Sequence, residues 1–254
     1  MDSQGKTAQP MGDEKETRMK KPLYQRIRHR LMRMRLHPIR VFVFHQVSEQ
    51  FKPETMWECD WTRTDVFKSL LSELKRRYSF IPLDEAYERL QQDRLRLKDY
   101  AVLTSDDGWA SLKEILPWLA EQQIPVTLFL NPSCLDGIHK HSRETDELLT
   151  EAEIRQLADE YRPLISIASH GWTHRDCTEM TLEEFADSVR KSEETLKTLP
   201  GKVSFYAFAS GLSKPEQMDY LRQNALVPVW VDGMKNDSGT DLIHRECLDG
   251  KTTI

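Results

Sequence analysis

A chain of 254 residues, 39% hydrophobic and 30% charged, is long enough for one large domain or two small ones around a sizeable core. It has no run of 18 apolar residues, so no membrane-spanning helix is expected, and its N-terminus lacks the apolar core of a secretory signal. The net charge of −5 is unevenly spread: nine Lys or Arg and no acid fall between Arg18 and Arg40, and the acidic remainder argues against a nucleic-acid groove within it.

Residues 1–22 are polar and irregular, and disorder is expected there. Residues 23–39 form a basic segment in which Leu23, Ile27, Leu31 and Met34 make a narrow helical stripe. Two readings stay open for it. One is a helix at residues 23–36 lying on an anionic membrane surface or on nucleic acid; the other is a solvated lead-in covering one end of a domain.

Residues 40–254 read as one domain. "RVFVFH" (40–45) is a strand, and residues 63–77 put Val66, Phe67, Leu70, Leu71 and Leu74 on one helical face. "YSFIPL" (78–83) and "DYAVLTS" (99–105) are strands, followed by a helix at 111–122 in which Pro117 is expected to introduce a bend. "PVTLFLN" (125–131) is a strand of the fully buried kind. The polar stretch from Pro132 to Leu149 reads as a surface excursion. Thr150 with Glu153, and Thr181 with Glu184, are capping-box pairs that open two further helices. Strands at 164–170, 203–209 and 226–231 and a helix at about 215–224 complete the alternation, with no internal repeat. Such alternation predicts a parallel sheet with helices outside, open or closed into a barrel. Cys59, Cys134, Cys177 and Cys247 form no CxxC pair and read as scattered buried thiols, which suits a reducing compartment.

In parallel α/β folds, function gathers at the carboxyl ends of strands. There stand His45, the pair Asp106–Asp107 before Gly108, His170 with His174 four residues on, Ser210 with Gly211, and Arg245 after "DLIH". Alone, each has a bland explanation: Asp-Asp-Gly is often a turn, and a strand-end histidine is often only packed. Their coincidence at one rim is harder to dismiss. His170 and His174 are about one helical turn apart and could reach one ion. A carboxylate would complete two nitrogens and one oxygen with an open position, the donor set of a catalytic zinc site or a similar ion. Such an ion would offset the repulsion between the adjacent carboxylates and leave one free to act as a base on water.

"LTSDDG" (103–108) resembles the TFDDG motif of the polysaccharide deacetylases, carbohydrate esterase family 4 or NodB-homology domain, and "SHGWTH" (169–174) resembles their HSxxH or HTxxH motif. "IPVTLFL" (124–130) is similar to the strand that follows the first motif. "VFVFHQV" (41–47), "YAFASG" (206–211) and "DLIHRE" (241–246) resemble the YHxV, FAYPYG and LPRI stretches of a subgroup acting on poly-N-acetylglucosamine. The likeness spans roughly residues 40–247. It implies a distorted seven-stranded (β/α) barrel and removal of N-acetyl groups from an N-acetylated polysaccharide or oligosaccharide. It also implies a divalent ion, Zn2+ first, with Co2+, Ni2+ or Mn2+ as alternatives.

Position by position, Asp106 matches the family's base, and Asp107, His170 and His174 match its metal ligands. His45 matches the subgroup's general acid, Arg245 the arginine that orients the base, and the Ser210 amide a donor to the oxyanion. Trp109, Trp172 and Phe208 lie beside the motifs, where stacking on sugar rings and packing in the core are both open. The chain departs from the family pattern at Ser105, Ala209, Ser210 and His244. The alternatives are a polysaccharide O-acetyl esterase and a non-catalytic carbohydrate-binding domain on the same barrel; a binder, however, needs no general acid.

Overall fold

The computed structural model describes residues 38–51, 61–92, 98–135 and 148–248. The expectations for residues 1–22, for the basic segment 23–36 and for Cys59 lie outside the described residues.

Ten strands are described: β1 (Arg40–Phe44), β2 (Gln46–Ser48), β3 (Trp61–Arg63), β4 (Ser79–Phe80), β5 (Tyr100–Asp106), β6 (Val126–Leu130), β7 (Ile165–Ser169), β8 (Lys202–Ala207), β9 (Val227–Val231) and β10 (Ile243–Cys247). Seven of them pair in parallel in the order β1, β10, β9, β8, β7, β6, β5, and β5 returns to β1, so the sheet closes into a (β/α)7-type barrel. The short β4 extends the sheet beside the start of β5, and β2 pairs with β3 separately.

The strands are apolar on both faces because both are covered. Alternate residues point to opposite sides. Val41, Val102, Phe129, Ala168, Ala207, Val229 and Ile243 fill the barrel interior. Their neighbours Phe42, Leu103, Leu128, Leu130 and Ile167 face outward, against Leu71 and Leu74 of helix α1 (Thr64–Arg77), Leu112, Ile115 and Leu119 of α3 (Leu112–Glu121), and Ile154 of α4 (Glu151–Glu160). Helices α2 (Leu83–Gln91), α5 (Leu182–Leu196) and α6 (Pro215–Gln223) complete the surround.

Both capping boxes form. Thr150 Oγ1 accepts from the Glu153 amide at 3.2 Å, and Thr181 Oγ1 accepts from the Glu184 amide at 3.2 Å, each Glu returning a bond to its threonine amide. Thr181→Ala frees one donor at the start of α5 and is expected to destabilise the fold by about 1 kcal/mol. A urea titration checks this; an unchanged midpoint would show the cap to be dispensable.

Four expectations are corrected. Residues 78–83 are not one strand: β4 ends at Phe80, with a last bond from the Ile81 amide to the Ala101 carbonyl at 3.0 Å, and Leu83 starts α2, whose first turn carries Asp84 and Glu85 where acids suit a helix N-terminus. Arg245 does not follow a strand but sits inside β10, where a paired charge replaces an apolar side chain. The ends of the segment 132–149 are not a surface excursion, since Ser133, Cys134, Leu135 and Leu149 are buried; its middle lies outside the described residues. Cys134 and Cys177 are buried, whereas Cys247 is exposed at the end of β10. Helix α3 runs through Pro117 to Glu121. No helix among the described residues is long and apolar enough to cross a membrane.

Candidate active site

Asp106 ends β5 and points inward, like Val102 and Thr104 before it. The chain then leaves the strand through two left-handed residues, Asp107 at φ 70° and Gly108 at φ 82°. Aspartate tolerates that region better than most residues, and a Cβ on Gly108 would come within 2.8 Å of Leu130 Cδ2. The turn brings both carboxylates to one mouth. His170 Nε2 lies 3.8 Å from Asp106 Oδ2 and 3.6 Å from Asp107 Oδ1, and His174 Nε2 lies 3.5 Å from Asp107 Oδ1.

His170 follows β7. Its Nδ1 lies 2.8 Å from the Ala207 carbonyl, which can only accept, so Nδ1 donates there and Nε2 is the nitrogen that faces the mouth. The indole N–H of Trp109 donates to Asp107 Oδ2 at 3.0 Å, on the other oxygen from the one that faces the histidines. The His170–His174 spacing is not a helical turn. Gly171 at φ 85° opens a bend, and a Cβ there would meet Tyr206 Oη at 2.8 Å.

Arg245 enters from β10 and grips Asp106 with two bonds, Nη1 to Oδ1 at 2.6 Å and Nη2 to Oδ2 at 2.7 Å. Nη1 also donates to Thr104 Oγ1 at 3.2 Å, and the guanidinium lies 5.0 Å from the centroid of the Phe129 ring. Arg245 is 0% and Asp106 2% exposed. Burial pushes the Asp106 carboxyl pKa up. The Arg245 charge, His170, the hydrogen bonds from Arg245 and the nearby His45 outweigh it and hold the carboxyl below its ordinary value. An ionised, fixed carboxylate therefore stands beside a three-donor cluster.

Residues 95–228 match the family model for polysaccharide deacetylase. The chain belongs to the polysaccharide deacetylase family. Its barrel is similar to a polysaccharide deacetylase from Bacillus cereus (16% identity, 86% of this chain and 67% of that one, TM-score 0.70). It is also similar to IcaB from Ammonifex degensii (15%, 84% and 92%, 0.68) and to the Streptococcus pyogenes deacetylase PplD in complex with acetate (16%, 84% and 93%, 0.71). These likenesses show the fold. No curated protein matches the chain significantly.

The donor set fits the metal ion that a polysaccharide deacetylase implies. The ligand atoms of Asp107, His170 and His174 lie within 4.8 Å of one another. Donors about 2.1 Å from a tetrahedral ion stand about 3.4 Å apart, close to the 3.6 and 3.5 Å between Asp107 and the two histidines.

The other deacetylase-like positions divide. His45, half-buried after β1, is near enough to act electrostatically on the Asp106 carboxyl. Ser210 is exposed after β8, in a short turn where it adopts φ 62°. Trp172 is half-buried on the bend after β7. Trp109 is 4% exposed, so its ring belongs to the core and its N–H to Asp107; it offers no open face for a sugar. Phe208 is likewise buried, stacked on Phe185. His244 points away from Arg245 and pairs with Asp232 at 2.6 Å, outside the site. Sequence reasoning missed Asn131 and Ser133, which bind the backbone of the histidine bend. Both lie at a carboxyl strand end, the place already searched for polar residues.

Proposed function

We propose that this member of the polysaccharide deacetylase family is a metal-dependent hydrolase removing N-acetyl groups from an N-acetylated sugar polymer or oligosaccharide, with residues 40–254 as its catalytic domain. The observation that carries the reading is the Arg245-clamped Asp106 beside Asp107, His170 and His174. A divalent ion held by those three residues, zinc first by its donor set, would polarise the acetyl carbonyl and ease the ionisation of water. Asp106 takes the proton of the attacking water, and Arg245 keeps that carboxylate charged and oriented. The Ser210 backbone N–H donates to the oxyanion, where a fixed donor counts most in the transition state. Trp172 lends an aromatic edge to the sugar. His45 protonates the departing amine, a poor leaving group without that proton. The placement of His45 directly after β1 favours the poly-N-acetylglucosamine-type subgroup over other deacetylases.

The test is acetate release from a panel of N- and O-acetylated glycans. Release from N-acetylated substrates should vanish with chelator and return with zinc. An intact, zinc-supplied protein that cleaves only O-acetyl groups would be an esterase, and one that cleaves neither would be a binding domain.

His45→Ala separates amide from ester chemistry. Loss of the general acid should lower turnover of an N-acetylated sugar about 100-fold. An activated aryl acetate expels a phenolate that needs no proton, so its hydrolysis should change little. Equal losses on both would reduce His45 to a positioning role.

A further inference from the structure

We propose that Asn131 and Ser133, at the end of β6, are positioning residues that set the separation of His170 and His174. The inference rests on the metal reading above and names the part of the chain that builds its bite. Two ligands on a helix would be spaced by the helix itself. Here the segment after β7 is a bend with Gly171 in a left-handed conformation, so no repeating backbone ladder fixes the distance.

The bend is held from outside. Asn131 Nδ2 donates to the His170 carbonyl at 2.5 Å and to the Gly171 carbonyl at 3.3 Å. The Ser133 amide donates to the Trp172 carbonyl at 3.2 Å, and the Ser133 hydroxyl donates to the same oxygen. Three consecutive carbonyls between the two histidines are therefore anchored to one strand end. Asn131 and Ser133 are both 0% exposed, where water cannot replace a lost bond. Asn131 Oδ1 accepts no hydrogen bond among the described residues. The site uses the amide for its two donors, and an aspartate of the same shape would turn an acceptor onto two carbonyls.

The experiment is zinc titration of the full chain against a competing chelator, with the melting temperature of the metal-free protein measured alongside. Asn131→Ala and Asn131→Asp should weaken zinc about 10- to 100-fold, as loss of outer support does elsewhere. Ser133→Ala, which keeps the backbone bond, should weaken it less. In a His174→Ala background these losses should almost disappear, because no second histidine is left to be spaced. A purely structural role would lower the melting temperature and either leave the affinity of the folded protein unchanged or give a loss that adds in full to that of His174→Ala. Either of those affinity results overturns the proposal. If the Asn131 variants do not fold, Ser133→Ala and its cycle with His174→Ala decide alone. Zinc bound by the unaltered chain and equally by the variants refutes the positioning role only. An unaltered chain that binds no zinc, or binds it independently of Asp107, refutes the metal reading and this inference together.

Discussion

Asp106→Asn is expected to lower deacetylation about 1,000-fold or more while zinc binding is retained. Asn cannot take a proton from water, but Asp107, His170 and His174 remain in place. The substitution also leaves Arg245, at 0% exposure, facing a neutral amide. A buried charge stripped of its counter-charge destabilises by about 3–5 kcal/mol. The assay therefore belongs well below the melting temperature of the variant, with zinc content measured on the same sample. Turnover within tenfold of the unaltered protein at equal zinc content would remove Asp106 from the role of base.

Arg245→Met makes the complementary change. It leaves the Asp106 carboxylate buried without its partner, and the group responds by binding a proton at higher pH. Stability at neutral pH should again fall by about 3–5 kcal/mol, and the acid limb of the kcat/KM profile should move upward. The sign can be checked by linkage. Asp106 is held below its ordinary value in the folded protein, so its contribution is present above the unfolded value. That contribution is lost as pH falls through the lowered folded one. Urea titrations below about pH 4 should show this loss in the unaltered chain and not in Arg245→Met. A kcat/KM profile that keeps its acid limb in place would mean that Arg245 does not govern the ionisation of the base.

The periodic parts of the fold are legible in the sequence because both faces of β5, β6 and β7 need apolar cover. The capping residues Thr150 and Thr181 announce two helices by a bond they make locally. β10 is illegible by the same criterion. Its sequence, Ile-His-Arg-Glu-Cys, is a strand only because Arg245 finds Asp106 inside the barrel and Glu246 pairs with Arg40 outside it. Long-range charge pairing leaves no local pattern. The cluster Asp106, Asp107, His170 and His174 was legible as residue types at strand ends. Its geometry was not, since the histidine spacing comes from a glycine bend and from Asn131, just past the end of a neighbouring strand. Trp109 shows the converse, an aromatic beside a motif whose polar edge, rather than its face, serves the site.

The Asp106–Arg245 pair also ties activity to the order in which the chain is made. The arginine is synthesised 139 residues after its partner, on the strand that joins β9 to β1. A nascent chain that has not yet reached Ile243 lacks both the staple that closes the ring and the charge that keeps Asp106 ionised. Closure of the ring and the clamping of the Asp106 carboxylate therefore come with the same late strand, and a product truncated before Ile243 lacks both.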